Sequence, residues 1–367
     1  MTEGFAGVES LLRQGLTEGV FPGAVLLVSR AGRVLFQRAC GVLSRETRRR
    51  ITPGTVFDLA SLTKPLATTV AVMRLVQDAA LRLDEPLAAV LPAFADTDKQ
   101  SLTLAQLLSH TSGLPDYRPW YRELAAVAPW ERRRRLQMLI RSEPLACRPG
   151  ERAIYSDLDF MLLGWVVEAV AGRRLDRFLD EAVYAPLGRP PVFFVDLQQP
   201  RPEGAFAATE RCGWRDRPIE AEVHDEHAHA LGGIAGHAGL FGTAAGVHAL
   251  IRELQEAYHH PAGGRVLRHD TVRQFVRRVP GTDKALGFDM PAQAGASCGS
   301  GFPPTAIGHL GFTGTSFWVR LEDSVAVVLL TNRVHPTRDN IAIRRFRPVL
   351  HDAVVDAVGR LPTPAPA

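Results

Sequence analysis

Ser61 and Lys64 stand three residues apart in the stretch Asp58-Leu59-Ala60-Ser61-Leu62-Thr63-Lys64-Pro65-Leu66-Ala67. On a helix that spacing stacks the two side chains on one face, one turn apart. A serine hydroxyl is a poor nucleophile until something takes its proton. A lysine beside it, its pKa lowered by desolvation and by the positive end of the helix, is a group that could do so. Leu66, Val70, Met73 and Val76 recur at helical period, and Pro65 fits only a first turn, so the helix is predicted to begin at about Ser61. Alone, the pattern reads first as a capping serine followed by a surface lysine, so its meaning rests on what accompanies it.

Two later stretches accompany it: Tyr155-Ser156-Asp157, and His309-Leu310-Gly311-Phe312-Thr313-Gly314-Thr315-Ser316. In this order and rough spacing the three elements resemble the serine β-lactamase-related and penicillin-binding hydrolases, closest to the class C-like branch that also contains esterases and D,D-peptidases. The resemblance runs from about residue 5 to 355. It implies that Ser61 is acylated, that Lys64 is its partner and that Tyr155 relays the proton, its phenol depressed by nearby cations. It also implies an oxyanion hole made by the backbone N–H groups of Ser61 and Phe312.

Two departures bear on the substrate. Drug-hydrolysing relatives carry Lys-Thr-Gly where this chain has His309-Leu310-Gly311. Gly311 is expected to keep the strand open to substrate, whereas Leu310 offers no hydrogen bond. His309, fractionally charged near neutral pH, is expected to orient Tyr155 or a substrate carbonyl and to be a weak anchor for a carboxylate. Asp157 stands where many relatives have asparagine; a carboxylate can only accept hydrogen bonds, so it disfavours the usual β-lactam side-chain contact while still able to hold Lys64. Thr313 and His237 are expected to support the site or the substrate.

Val223-His224-Asp225-Glu226-His227-Ala228-His229, with His237 beyond, has the composition of a metal cluster. In a strand His227 and His229 would share one face. A zinc site also needs a third ligand and a supporting shell, and the same run, leading into Leu231-Gly232-Gly233-Ile234-Ala235-Gly236-His237-Ala238-Gly239-Leu240-Phe241, resembles a cleft border of the peptidase-like branch. The reading adopted is a structural or substrate-facing segment, with no metal and no cofactor.

The elements around these residues follow from periodicity. Residues 4–18 read as an amphipathic helix, Gly23–Val28 and Arg33–Phe36 as strands turning at Ala31-Gly32, and Leu83 to about Ala230 as mostly helical. Thr315–Val319 and Val325–Leu330 read as strands, followed by a helix from about Ile341 to Val358 and a frayed tail, Pro362 to Pro366. The expected fold is α/β (α+β): an antiparallel sheet flanked by helices, with an inserted mainly helical domain. The expected division is 1–62 plus 284–367 for the sheet domain and 63–283 for the insert, with the active site between them.

With 367 residues and 46% hydrophobic content the chain can bury a large core, and a formal charge of +4 spread along it, without aromatic interleaving, does not mark a nucleic-acid partner. The Arg132 to Arg135 run reads as a solvated helix face. The four cysteines, Cys40, Cys147, Cys212 and Cys298, are too scattered for a metal or redox motif and read as buried free thiols. Without a leader-like start or a long apolar run, the expected location is the cytoplasm, with no membrane partner. The expected activity is a serine carboxylesterase acting on small or medium esters. The alternatives are a D,D-carboxypeptidase or D-amino-acid amidase, a weak β-lactamase, and a non-catalytic peptide sensor.

Overall fold

Ala31 and Gly32 both take positive φ, 47° and 73°, as a two-residue hairpin turn requires, and they fold β1 (Gly23–Arg30) back onto β2 (Arg33–Gly41). In chain order the remaining strands are β3 (Phe57–Asp58), β4 (Val192–Phe194), β5 (Arg211–Cys212), β6 (Arg217–Pro218), β7 (Leu240–Gly242), β8 (Ile307–Leu310), β9 (Ser316–Arg320) and β10 (Val325–Thr331). The computed structural model describes residues 3–361.

The main sheet has five antiparallel strands in the order β2-β1-β10-β9-β8, so strands from both ends of the chain build it. Alternation along its central strands splits their side chains between two cores. Ala24, Leu26 and Val28 of β1, with Val325, Val327 and Leu329 of β10, meet Val8 and Leu12 of helix Ala6–Thr17 and Leu350 and Val354 of helix Ile343–Gly359. Val25 and Leu27, with Ala326, Val328 and Leu330, face the other way, toward Val247, Leu250 and Ile251 of helix Ala244–His259. Both faces are therefore apolar, and the central strands read as nearly continuous hydrophobic runs. The fold is mixed, with antiparallel sheets flanked by helices.

The larger core continues into helices Val70–Gln77, Leu104–Leu108, Pro129–Ser142 and Asp157–Ala171. A second sheet, β3-β7-β4, sits beside the Ser61 turn. The helical reading of 83–230 fails after about residue 190. Pro190, Pro191, Pro200, Pro202 and Gly204 interrupt any helix there, and the chain forms β4 and the β5–β6 hairpin instead. Cys212 and Cys298 are buried thiols, but Cys40 and Cys147 are partly exposed, contrary to the expectation for all four. No helix of the described residues is long and apolar enough to cross a membrane. The tail Pro362 to Pro366, expected to fray, lies outside the described residues.

His351 is fully buried against Phe302 in the core shared by the two terminal helices. Burial, reinforced by Arg347, pushes its pKa down to about 3. The unfolded chain binds a proton near the ordinary histidine value and the folded chain does not, so stability falls as pH drops from there toward that depressed value. This residue should cost about 2 kcal/mol between pH 7 and pH 5. The His351→Leu variant should lose correspondingly less stability over that interval, measured by urea unfolding at both pH values.

Candidate active site

Local backbone places the serine first. Asp58 ends β3, and its buried carboxylate accepts the N–H of Ala60 (2.8 Å) through one oxygen and the N–H of His224 (2.6 Å) through the other. Ala60 is thereby held at φ 48°, a left-handed conformation that an alanine adopts only under such restraint. Ser61 follows in a tight turn, Ala60–Leu62, which continues through a π-helical turn, Lys64–Thr69, into helix Val70–Gln77. The helix thus begins where predicted, and Lys64 Nζ donates to Ser61 Oγ at 3.0 Å.

Lys64 is completely buried. Its ammonium donates to Ser61, to the His237 carbonyl (3.0 Å) and to Asp157 Oδ1 (2.7 Å). Burial opposes the charge, but Asp157 and the Tyr155 oxygen outweigh it and raise the pKa above the ordinary lysine value. The expectation of a lysine depressed toward neutrality is therefore overturned: the carboxylate at position 157 locks the charge on. The corresponding expectation for Tyr155 also fails. Its hydroxyl reaches Ser61 and Lys64, yet burial, with Asp157 adding, raises its pKa despite the pull of Lys64. At neutral pH the pair is a charged lysine and a neutral phenol.

Tyr155 lies on the loop before helix Asp157–Ala171, whose N-cap Ser156 accepts from the Leu158 N–H. Its ring stands over Lys64 (5.0 Å), against His110 (4.7 Å) and near His309 (5.9 Å). His110, itself at φ 59°, takes the Ser156 N–H on Nδ1 (3.1 Å) and pairs with buried Asp159 (2.9 Å). Burial drives the imidazole pKa far down and the Asp159 pKa far up, and the pair supports the tyrosine loop.

His309 lies on the edge strand β8 and donates Nδ1–H to the Leu310 carbonyl (2.9 Å). Burial, with Lys64 and Lys284 opposing further charge, lowers its pKa to about 4 although Asp289 pulls the other way. It is neutral at pH 7, correcting the fractional charge expected. Gly311 also has a packing reason. A Cβ there would lie 2.0 Å from Thr315 Oγ1 and 2.7 Å from the Leu59 carbonyl, so the glycine lets this loop press onto the serine turn. Thr313 Oγ1 bonds the Asp58 carbonyl (2.8 Å) and Thr315 Oγ1 the Leu59 carbonyl (3.1 Å). Thr313 is thus a support and not a substrate contact. Phe312 is exposed, and its carbonyl is held by Arg333 (2.5 Å).

The histidine run is not a strand. Asp225 caps helix Glu226–Ala230 by accepting the Ala228 N–H (2.7 Å), so His227 turns toward Tyr117 and Tyr121 while His229 turns toward Trp214. His224 bonds Glu210 (2.6 Å), and His237 bonds Asp225 (2.8 Å). Among the described residues no three potential ligands converge on a metal position. His237 supports the site twice, through its carbonyl on Lys64 and its ring on Asp225. Its loop reaches Lys64 because Gly236 packs against helix Asp157–Ala171, where a Cβ would sit 2.1 Å from the Phe160 carbonyl.

A cavity of about 300 Å³ opens on Ser61, walled by Tyr155, Asp157, His237, Phe312, His224, Asp225, Glu226, Tyr117 and Arg338. Arg338 donates to Glu210 and to Glu226, both at 2.6 Å. Arg338 and Tyr117 escaped the sequence reading, as did the pair Lys284–Asp289 (2.7 Å) beneath Tyr155. None belongs to a short motif; residues far apart in the chain meet only in the fold.

Comparison with known proteins bears on this geometry. The family model described as Beta-lactamase matches residues 8–350. A protein of Escherichia coli (strain K12) named "Putative D-alanyl-D-alanine carboxypeptidase" is 31% identical over 86% of this chain and 79% of its own. Among solved structures, EstCE1, described as a hydrolase with promiscuous acyltransferase activity, superposes with a TM-score of 0.75 at 24% identity, covering 96% of this chain and 99% of that one. The octameric penicillin-binding protein homologue from Pyrococcus abyssi does so with a TM-score of 0.70 at 20% identity, covering 94% and 77%.

Two variants test the site. Asp157→Asn removes the carboxylate that holds the charge on Lys64, and burial then lowers the lysine pKa. If the ammonium is the working form, this variant should acquire an alkaline limb in its pH–rate profile that the parent lacks over the same range. Asp58→Asn puts an amide donor against one of two N–H donors, and should cost about 1–3 kcal/mol in urea unfolding. The same variant should slow fluorophosphonate labelling of Ser61.

Proposed function

The chain belongs to the beta-lactamase family, a family of serine hydrolases, and from that premise we propose that it cleaves esters, and amides without a terminal carboxylate, through an acyl-Ser61 intermediate. The observation that carries this reading is the charge of the cleft. His309, at the position where drug-hydrolysing relatives place a lysine, is neutral at pH 7, and Arg338 is engaged by two carboxylates. Asp157, Asp225 and Glu226 complete the wall. A substrate ending in a carboxylate would meet no cation on this wall that is not already paired with a carboxylate, so nothing there offsets the cost of desolvating it.

The geometry supports a relay in place of a free base. Ser61 Oγ attacks the carbonyl carbon while its proton passes to the Tyr155 oxygen, and Tyr155 passes its own proton to the departing alkoxide. Neutral Tyr155 suits this double transfer, since it needs no prior deprotonation. Lys64 stays charged and stabilises the negative charge moving between the two oxygens. The N–H groups of Ser61 and Phe312 receive the charge on the attacked oxygen. Water then attacks the acyl group, and its proton returns through Tyr155 to Ser61 Oγ, releasing the acid.

A second reading, D,D-carboxypeptidase, is favoured by the 31% identity to the Escherichia coli relative so named. Initial rates on p-nitrophenyl acetate, butyrate and octanoate, a D-alanyl-D-alanine peptide and a chromogenic cephalosporin distinguish the two. The esters should turn over and the other two should not, and Ser61→Ala should lower the ester rate by about three orders of magnitude or more. Preferential turnover of the peptide would establish the second reading, and activity unchanged in Ser61→Ala would remove the acyl-serine mechanism.

A further inference from the structure

The loop between β10 and helix Ile343–Gly359 joins the wall of the Ser61 cavity through one residue, Arg338. Its backbone is fixed without help from that side chain. Two bonds tie the loop to residues 209–211: His335 Nδ1 donates to the Thr209 carbonyl, and the Pro336 carbonyl accepts the Arg211 N–H, both at 2.8 Å. Arg333, only 8% exposed, gathers it from within. Its Nη1 donates to the carbonyls of Arg338 and Asn340, both at 2.8 Å, and its Nη2 to the carbonyl of Phe312.

From that fixed point the guanidinium reaches across to another part of the chain. Nε donates to Glu210 Oε2 and Nη2 to Glu226 Oε1, both at 2.6 Å, and the group lies 5.7 Å from the Phe312 ring, which itself stacks on His224. Among the hydrogen bonds of this loop to described residues, the one that crosses to helix Glu226–Ala230 is made by this side chain, so its atoms occupy the space between loop and helix. A planar fork held by two carboxylates on different segments has little freedom to swing aside. A substrate chain extending past this wall would have to break both ion pairs.

We propose that Arg338 is a specificity-determining residue: held between Glu210 and Glu226, it bars the cavity at this wall, so that the enzyme takes esters with short acyl or alcohol chains in preference to long ones. The proposal rests on the acyl-serine reading above and narrows its substrates to short-chain esters. Removing Arg338 leaves Glu210 its bond with His224 but takes away the partner of Glu226. The double variant Arg338→Ala/Glu226→Gln therefore removes the bar without stranding a charge, and Glu226→Gln alone is its reference.

Two chain-length series test it. On the acyl side these are p-nitrophenyl acetate, butyrate and octanoate; on the alcohol side, ethyl, butyl and octyl acetate, followed by acid titration. In the parent the longest member of at least one series should fall below the middle one in kcat/KM by about tenfold or more. The double variant should close that gap several-fold relative to Glu226→Gln, a change in ratio that lost stability alone would not produce. Should it fail to fold, Arg338→Lys, which keeps a cation for the carboxylates but loses the fork, should move the ratio the same way by less. No loss of rate with length in either series, or a gap that these variants leave unchanged, would overturn this inference and leave the hydrolase reading intact. If Ser61 is labelled by fluorophosphonates without ester turnover, labelling rates with ethyl and octyl fluorophosphonates are read in the same way. No turnover of any ester, together with no labelling of Ser61, would instead bring down the hydrolase reading itself.

Discussion

An ammonium ion with no solvent exposure lies at the centre of this protein, and much of the surrounding structure exists to keep it charged. Isolated in an apolar interior, Lys64 would shed its proton rather than bear the desolvation cost. Three acceptors prevent that, each from a different part of the chain: the Ser61 hydroxyl one turn away, the Asp157 carboxylate at a helix start, and the His237 carbonyl on a glycine-rich loop. Displacing any of the three segments would strand the charge. The chemistry and the packing are therefore one constraint, because the contacts that stabilise Lys64 also aim it at Ser61.

The serine is held by a separate set of bonds that involve no charge transfer. Asp58 ties the Ala60 turn to the segment at His224, and Thr313 and Thr315 tie the Phe312 loop to the carbonyls of Asp58 and Leu59. In this way Ser61 and the Phe312 loop proposed to offer N–H donors are fixed relative to one another before any substrate arrives. Fixing donors in advance is worth more than adding them, since little reorganisation remains at the moment of reaction. The left-handed Ala60 belongs to this arrangement, its strain borne by a buried carboxylate.

Much of this was legible in the sequence wherever the relevant residues are neighbours. The Ser61–Lys64 spacing and the turn at Ala31-Gly32 are short-range signals, and local geometry follows from them. The misreadings arose where one residue's state depends on a distant partner. Lys64 was expected to be depressed by burial and the helix end; Asp157, read as able to hold it, lies at 2.7 Å and tips the balance the other way, a magnitude that only the fold supplies. Arg338 and Glu226 are 112 positions apart and carry no mutual signal. The His227 and His229 error is of another kind, since Asp225 before Glu-His-Ala-His-Ala is a readable helix cap and alternation of histidines was given precedence over it.

The strand order of the main sheet also has a meaning in time. β1 pairs with β10 across some three hundred residues, and the threonines that secure the Phe312 loop come still later than the whole helical region. During synthesis, β1 and β2 leave the ribosome as a lone hairpin, marginal by itself in water, and wait for their central partner until residues 325–331 have been made. Until β10 exists, the hairpin has no central neighbour and the Phe312 loop has no fixed place beside the serine turn, so the earliest and latest parts of the fold become ordered together.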